Sequence, residues 1–414
     1  MRIGEAMRAF WAEPFCSMRP VGRHGSVKIV AGALAALVLL WALYWPSLSW
    51  GWLMDDDLIL MRCRHLGQWT WGSLQWALTD VDYGRRWTPV LWLIALIPPA
   101  NTALGYHVLA LALASVLTVA ILLLLLRLTG FWWALFLTCA LVSTPLRLEV
   151  FGWTMGFVYV SVAIFCVAAF LTDRPSVALL WAILALLTYP QAAGVFILVL
   201  WRFRRSGWSL IGLVFLLEFV AVQYYIRQQI GFLPWRADWT VWPFATLHYF
   251  LMVPFPAVLS PMFPARAYQA LFFGLLIVML WGALHWRSLC LVLVVLAPVL
   301  VASITEAFWF CARYSLLFEI ACAAVFAWKL REYTLPVKWR IAPLLVILLG
   351  AVATTRSDIF ARGRLNTLDR TVACAQALGA PTDIFRYFAN HLTPSERIEI
   401  KTRPNLKRVV YGVP

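Results

Sequence analysis

Long apolar runs recur along this chain from near residue 28 to near residue 355, parted by short polar stretches. A run of about twenty apolar residues is what a helix needs to cross the hydrocarbon core, where every backbone N–H and C=O must be satisfied internally. Charged residues make up 13% of the 414 and hydrophobic ones 63%. A soluble domain carries about a quarter charged residues. The balance excludes an ordinary soluble enzyme, a disordered chain and a nucleic-acid-binding module. The net charge of +15 does not argue for nucleic acid, because the basic residues sit mostly at the ends of apolar runs. That placement is what membrane topology and anionic lipid head groups ask for, so the expected surroundings are membrane lipids.

The runs fall at about 28–48, 88–99, 104–126, 131–145, 150–172, 175–189, 190–202, 207–226, 245–262, 268–284, 288–305, 312–328 and 340–355. The pieces at 88–99 and 245–262 read as re-entrant or interfacial. The expected fold class is therefore an all-α polytopic membrane protein with about eleven transmembrane helices, re-entrant or interfacial helices in its outer loops and a small C-terminal tail. Its divisions are an N-terminal segment (1–27), a transmembrane domain (28–355) with a first outer loop at 50–87, and a polar tail (356–414). Pro98, Pro99, Pro145, Pro190, Pro254, Pro256, Pro261 and Pro264 interrupt the runs. Irregular backbone at membrane depth is tolerated where it is buried in protein or lines a polar cavity. The Tyr189-Pro190-Gln191 junction reads first as a plain kink.

Orientation follows from Lys and Arg. The first segment carries Arg2, Arg8, Arg19, Arg23 and Lys28, so it is expected in the cytoplasm. Eleven spans then put Arg202, Arg204 and Arg205, and later Lys329, Arg331, Lys338 and Arg340, on that same side. Segments 50–87, 146–149, 227–267 and 305–313 fall outside, as does the tail, in which a helix is expected from Pro381 or Thr382 and a break at Thr393-Pro394. The first apolar run ends in aromatic flanks instead of a small-residue cleavage site, so it is expected to be retained as a span. The eight cysteines show no metal-ligand spacing, and most read as small buried apolar residues.

The first outer loop is where chemistry concentrates. It reads SWGWLMDDDLILMRCRHLGQWTWGSLQWALTDVDYGRRWTPV and holds Asp55, Asp56, Asp57, Asp80 and Asp82, out of 19 acidic residues in all. A carboxylate at the bilayer centre costs about 3 kcal/mol, so this loop reaches water or a polar cavity. Three adjacent carboxylates repel one another, which raises the pKa of at least one and makes it a better base near neutral pH. The alternative is a solvated acidic loop with no chemistry. Glu218 and Glu319 lie within apolar runs, where acids face a cavity or a partner.

Three stretches, GWLMDDDLIL, GRRWTPVLWLIALIPPANTALGYHVLALALASVL and TPLRLEVFGWTMG, resemble the opening third of GT-C-type glycosyltransferases. The likeness is to the mannosyltransferase-like branch that uses polyprenyl-phosphate sugars. Asp55 and Asp56 match that branch's acidic pair. Arg86, Trp87 and Pro89 match the R-P-L-like element leading into the second span. His107 matches the H-x-x-N histidine, with Ala110 in place of Asn. Pro145, Glu149 and Trp153 match P-x-x-x-E-x-x-x-W, although Gly156-Phe157-Val158-Tyr159 stands where Gly-Arg-x-Asp is usual. FWFCARYSLLFE is similar to a late Arg-Tyr element and points to Arg313 and Tyr314.

The resemblance implies a multi-pass enzyme of the bacterial inner membrane with its active site facing the periplasm. It would transfer a sugar from a polyprenyl-phosphate donor to a surface glycan such as O-antigen, a lipid or a protein. Asp55 or Asp56 would be the general base, and Arg313, Arg86 and Tyr314 would hold the donor phosphate. Glu149, His107, Glu306, Asp57 and Asp82 would line the acceptor cavity. No metal is required by this scheme. If a divalent ion is used, Asp55, Asp57 and Asp80 offer the hard oxygen ligands that suit Mg or Mn. Plainer readings stand beside these roles: Arg313 snorkelling at a span end, Glu149 paired with Arg147, and His107 packing or capping. Other activities also stay open, namely a lipid-linked glycan transporter or flippase, a polysaccharide polymerase or ligase, and a scaffold subunit without catalysis.

Overall fold

The apolar runs become helices because a helix closes its own backbone hydrogen bonds, and their ends fall where the sequence changes character. A computed structural model describes residues 18, 25–49, 70–72, 75, 103–143, 148–151, 156–229, 294–295, 297–298 and 316–332. Helix α1 runs Ser26–Tyr44 and passes into a 3₁₀ turn, Trp45–Ser49. Then come α2 (Ala103–Leu128), α3 (Phe131–Ser143), the single turn α4 (Leu148–Phe151) and α5 (Gly156–Leu171). After these come α6 (Pro175–Thr188), α7 (Ala193–Arg202), α8 (Gly207–Gln229) and α9 (Leu316–Lys329). Among the described residues the secondary structure is helical throughout, with no strand.

Local signals explain several boundaries. Gly25 precedes α1 at φ 76, a conformation that L side chains rarely adopt. Pro175 opens α6, where its missing N–H costs nothing. Pro190 closes the same helix and holds Tyr189 extended at φ −153, ψ 128. Within the run expected at 150–172 the described elements are the end of α4 and α5, and 152–155 lie outside the described residues. A Cβ on Gly156 would collide with the Val150 carbonyl oxygen, a close approach that only glycine allows.

The helices alternate in direction. Asp173, between α5 and α6, bonds Arg127 near the end of α2 and Arg202 at the end of α7, each at 2.7 Å. The start of α3 meets the end of α9 through Trp133 and Phe326, 6.4 Å between ring centres. These contacts define one end of the bundle, which also carries Lys28, Arg174, Arg204, Arg205, Lys329 and Arg331. At the other end, the Tyr44 hydroxyl donates to the Val142 carbonyl at 2.9 Å, and Tyr159 meets Tyr189 at 5.2 Å. The basic clusters around Lys28, Arg202 and Lys329 thus share one end, as the positive-inside pattern requires.

Three helical stretches, Ser26–Tyr44, Leu104–Leu128 and Gly207–Tyr225, are long and apolar enough to cross a membrane. Helices α3, α5, α6 and α7 have 13, 16, 14 and 10 residues. At about 1.5 Å per residue each falls short of a core about 30 Å thick. The expected total of about eleven spans draws partly on runs outside the described residues, including 88–99, 245–262, 268–284 and 340–355; the tail beyond 356 also lies outside them.

Candidate functional site

The end of the bundle away from the basic residues carries the His107 turn of α2 and the α4 turn that holds Glu149. Tyr44, the last residue of α1, is buried there. Besides its bond to Val142 it meets the Phe151 ring edge-on, 5.4 Å between centres. Ser47 donates back to the Tyr44 carbonyl at 2.6 Å, which closes the turn at the helix end. One turn earlier the Trp41 indole donates to Ser115 Oγ at 3.1 Å, and that hydroxyl donates in turn to the Leu111 carbonyl at 2.7 Å. These bonds fasten the end of α1 to α2, α3 and α4.

Three consequences concern the expected site. The chain leaves Ser49 into the loop that holds Asp55 and Asp56, so that loop starts from the Tyr44 end. Glu149 lies on α4 between Leu148 and Val150, and the neighbouring Val150 and Phe151 are buried. His107 lies on the second turn of α2 with 0% of its surface exposed, and Tyr106 beside it is also buried. Asp55, Asp56, Asp57, Asp80, Asp82, Arg86, Glu306, Arg313 and Tyr314 lie outside the described residues. Helix α9 begins at Leu316 just after Arg313, and it begins away from the basic end, because its final turn meets the start of α3.

Four interior hydroxyls bond back to their own helices. Thr118, Thr138, Ser161 and Thr188 each donate to the carbonyl four residues earlier, at 2.7–2.8 Å. Such back-bonding lets a hydroxyl sit in an apolar interior without a ligand. Glu319 on α9 is of greater interest. It is 3% exposed and shares the buried side of its helix with Leu316, Ile320 and Ala323. An ionisable group inside the membrane is a functional candidate by default. Glu218 on α8 stands on an exposed surface instead. Among the described residues no group of His, Cys, Asp and Glu could hold a metal ion; Asp55, Asp57 and Asp80 are not among them.

The basic end is built differently. Arg127 and Arg202 are 9% and 7% exposed, while the carboxylate they share, Asp173, is 69% exposed. Arg202 also donates to the carbonyls of Phe170 and Thr172 at 2.9 and 3.0 Å, and Arg127 to that of Leu171. These are the orphan carbonyls at the end of α5, where cations complement the helix dipole. The arrangement joins the ends of α2, α5 and α7. Sequence reading missed this clamp; its only signal was an Arg at the end of two apolar runs and an Asp between two others. No family model, curated protein or solved structure matches this chain.

Proposed function

We propose that this chain is a polytopic membrane glycosyltransferase of the GT-C type. It moves a sugar from a polyprenyl-phosphate carrier to a glycan, lipid or protein acceptor, in the bacterial inner membrane with its site facing the periplasm. The observation that supports this reading best is the fastening of the α1 terminus to α4 and α2 through Tyr44, Phe151, Trp41 and Ser115. It brings the start of the Asp55–Asp56 loop, the Glu149 turn and the His107 end of α2 to one end of the bundle. The motifs that resemble the family are scattered over a hundred residues of sequence, and a common site requires such a meeting.

The chemistry asks little of the protein. The acceptor hydroxyl oxygen attacks the anomeric carbon while Asp55 or Asp56 takes its proton. The bond from that carbon to the phosphate oxygen breaks, and the phosphate leaves with the electron pair. Arg313 and Arg86 stabilise the departing charge, since guanidinium binds phosphate through paired hydrogen bonds and stays ionised. A single displacement inverts the anomeric centre, by the logic of single-displacement glycosidases.

The test is mass spectrometry of surface glycans and lipid-linked intermediates from cells lacking the gene. The cells are complemented with the native chain or with Asp55→Asn/Asp56→Asn, matched for expression. The native chain should restore one specific sugar. The double variant should lose activity by about 10²–10⁴-fold, the usual contribution of a positioned base. Equal restoration by both would mean that the aspartates do no chemistry and would move transport or ligation ahead.

A further inference from the structure

An apolar cleft opens in the half of the bundle nearer the basic residues, far from the motif end. Its walls include Leu124 and Leu128 of α2, Phe170 of α5, Leu198 of α7, and Ala321 and Trp328 of α9. The space is lined by apolar side chains except for the Cys166 thiol and the Trp328 indole N–H. Leu128, Phe170 and Trp328 each lie in the last turn of their helix, so the mouth is level with the basic end.

Two cations stand beside that mouth. The Lys329 ammonium and the Arg331 guanidinium both lie over the Trp328 ring, 4.9 and 5.5 Å from its centre. The Trp328 indole N–H is buried and has no acceptor.

We propose that this cleft binds an anionic phospholipid from the leaflet at the basic end. One acyl chain lies between α2, α5, α7 and α9. The head-group phosphate is held by Lys329 and Arg331, and Trp328 donates its indole N–H to a head-group or ester oxygen. Charge complementarity selects the class: a dry hydrocarbon slot takes an alkyl chain, and paired cations at its rim take a negative head group. Met18 also touches the cleft. The proposal stands apart from the glycosyltransferase reading, because it uses none of the motif residues.

The experiment is native mass spectrometry of the purified full chain in detergent, titrated with phosphatidylglycerol or phosphatidylcholine. The expected result is one retained phosphatidylglycerol per chain in preference to phosphatidylcholine. Retention should weaken about thirtyfold in K329Q/R331Q, from about 1 kcal/mol per basic residue near a charged lipid surface. Ala321→Trp, which fills the slot, should abolish retention while elution profile and helical circular dichroism are kept; should that variant fail to fold, the charge pair decides alone. Equal retention of the two lipids, no retention of either, unchanged retention in K329Q/R331Q, or displacement by inorganic phosphate would each overturn the proposal.

Discussion

Asp173 shows how much one exposed carboxylate can organise. Its two arginines are nearly buried, and without it two guanidinium groups are left close together without their shared carboxylate. Removing one partner of a buried ion pair costs about 3–5 kcal/mol. The carboxylate side of this pair is well solvated, which screens it and lowers that figure. We therefore expect Asp173→Ala to destabilise the protein by about 1–2 kcal/mol. Arg127→Ala should cost more, about 3 kcal/mol, because it also strips a helix-end carbonyl of its donor. Thermal unfolding in detergent, followed by loss of the monodisperse elution peak, reads both. An Asp173 variant as damaging as the Arg127 variant would contradict the proposed division. Little of this was legible in the sequence. Arg127, Asp173 and Arg202 each read as ordinary flanking charges, and only the folded bundle sets them side by side. The candidate site was legible in the opposite sense: Asp55, Asp56 and Glu149 stand out in sequence, while the described helices reveal only the framework around them, with Tyr44 as its unforeseen hub.

Elements were more readable, since apolar runs and helices share one cause. The runs at 28–48, 104–126, 131–145 and 207–226 correspond to α1, α2, α3 and α8 within a few residues. The close approach of Gly156 to Val150 was not readable, because it depends on how α5 packs against α4. Gly156→Ala is accordingly expected to cost about 1–3 kcal/mol or more through overpacking, and to loosen α4 before the rest of the bundle. Faster proteolysis between α4 and α5 would report it; a variant as resistant as the native chain would remove the role given to this glycine. The pair α6–α7 makes a second point. Both helices start or end at the Arg202–Asp173 clamp, and they reach only about 21 and 15 Å by length. Their junction at Tyr189-Pro190-Gln191 is therefore expected to lie within the membrane; Gln191 is buried in the bundle. A cysteine replacing Gln191 should react with an impermeant thiol reagent far more slowly than one replacing the exposed Thr70 of the first loop, and should react fully on denaturation. Equal rates in the folded protein would show the junction at the surface.

For the molecule as a whole, the ordering of charge decides the orientation. A hairpin that enters and leaves at the same end does not change which side the flanking loops occupy, so α6–α7 counts alike as two short spans or as one re-entrant element. That is why the parity read from Lys and Arg survives helices too short to cross. The basic end carries Lys28, Arg174, Arg204, Arg205, Lys329 and Arg331, while the first loop leaves from the other end through Ser49. The positive-inside pattern assigns the basic end to the cytoplasm, and the proposed transfer to an outward-facing acceptor depends on that assignment. In a background from which the native cysteines have been replaced, Thr70→Cys should be labelled by an impermeant maleimide in intact cells. Ser206→Cys, in the turn between α7 and α8, should be labelled only after permeabilisation. The reverse pattern would place the Asp55–Asp56 loop in the cytoplasm, where soluble nucleotide sugars are the available donors. The polyprenyl-phosphate reading would then lose its reason, while the lipid proposed for the basic cleft would have to come from the outer leaflet.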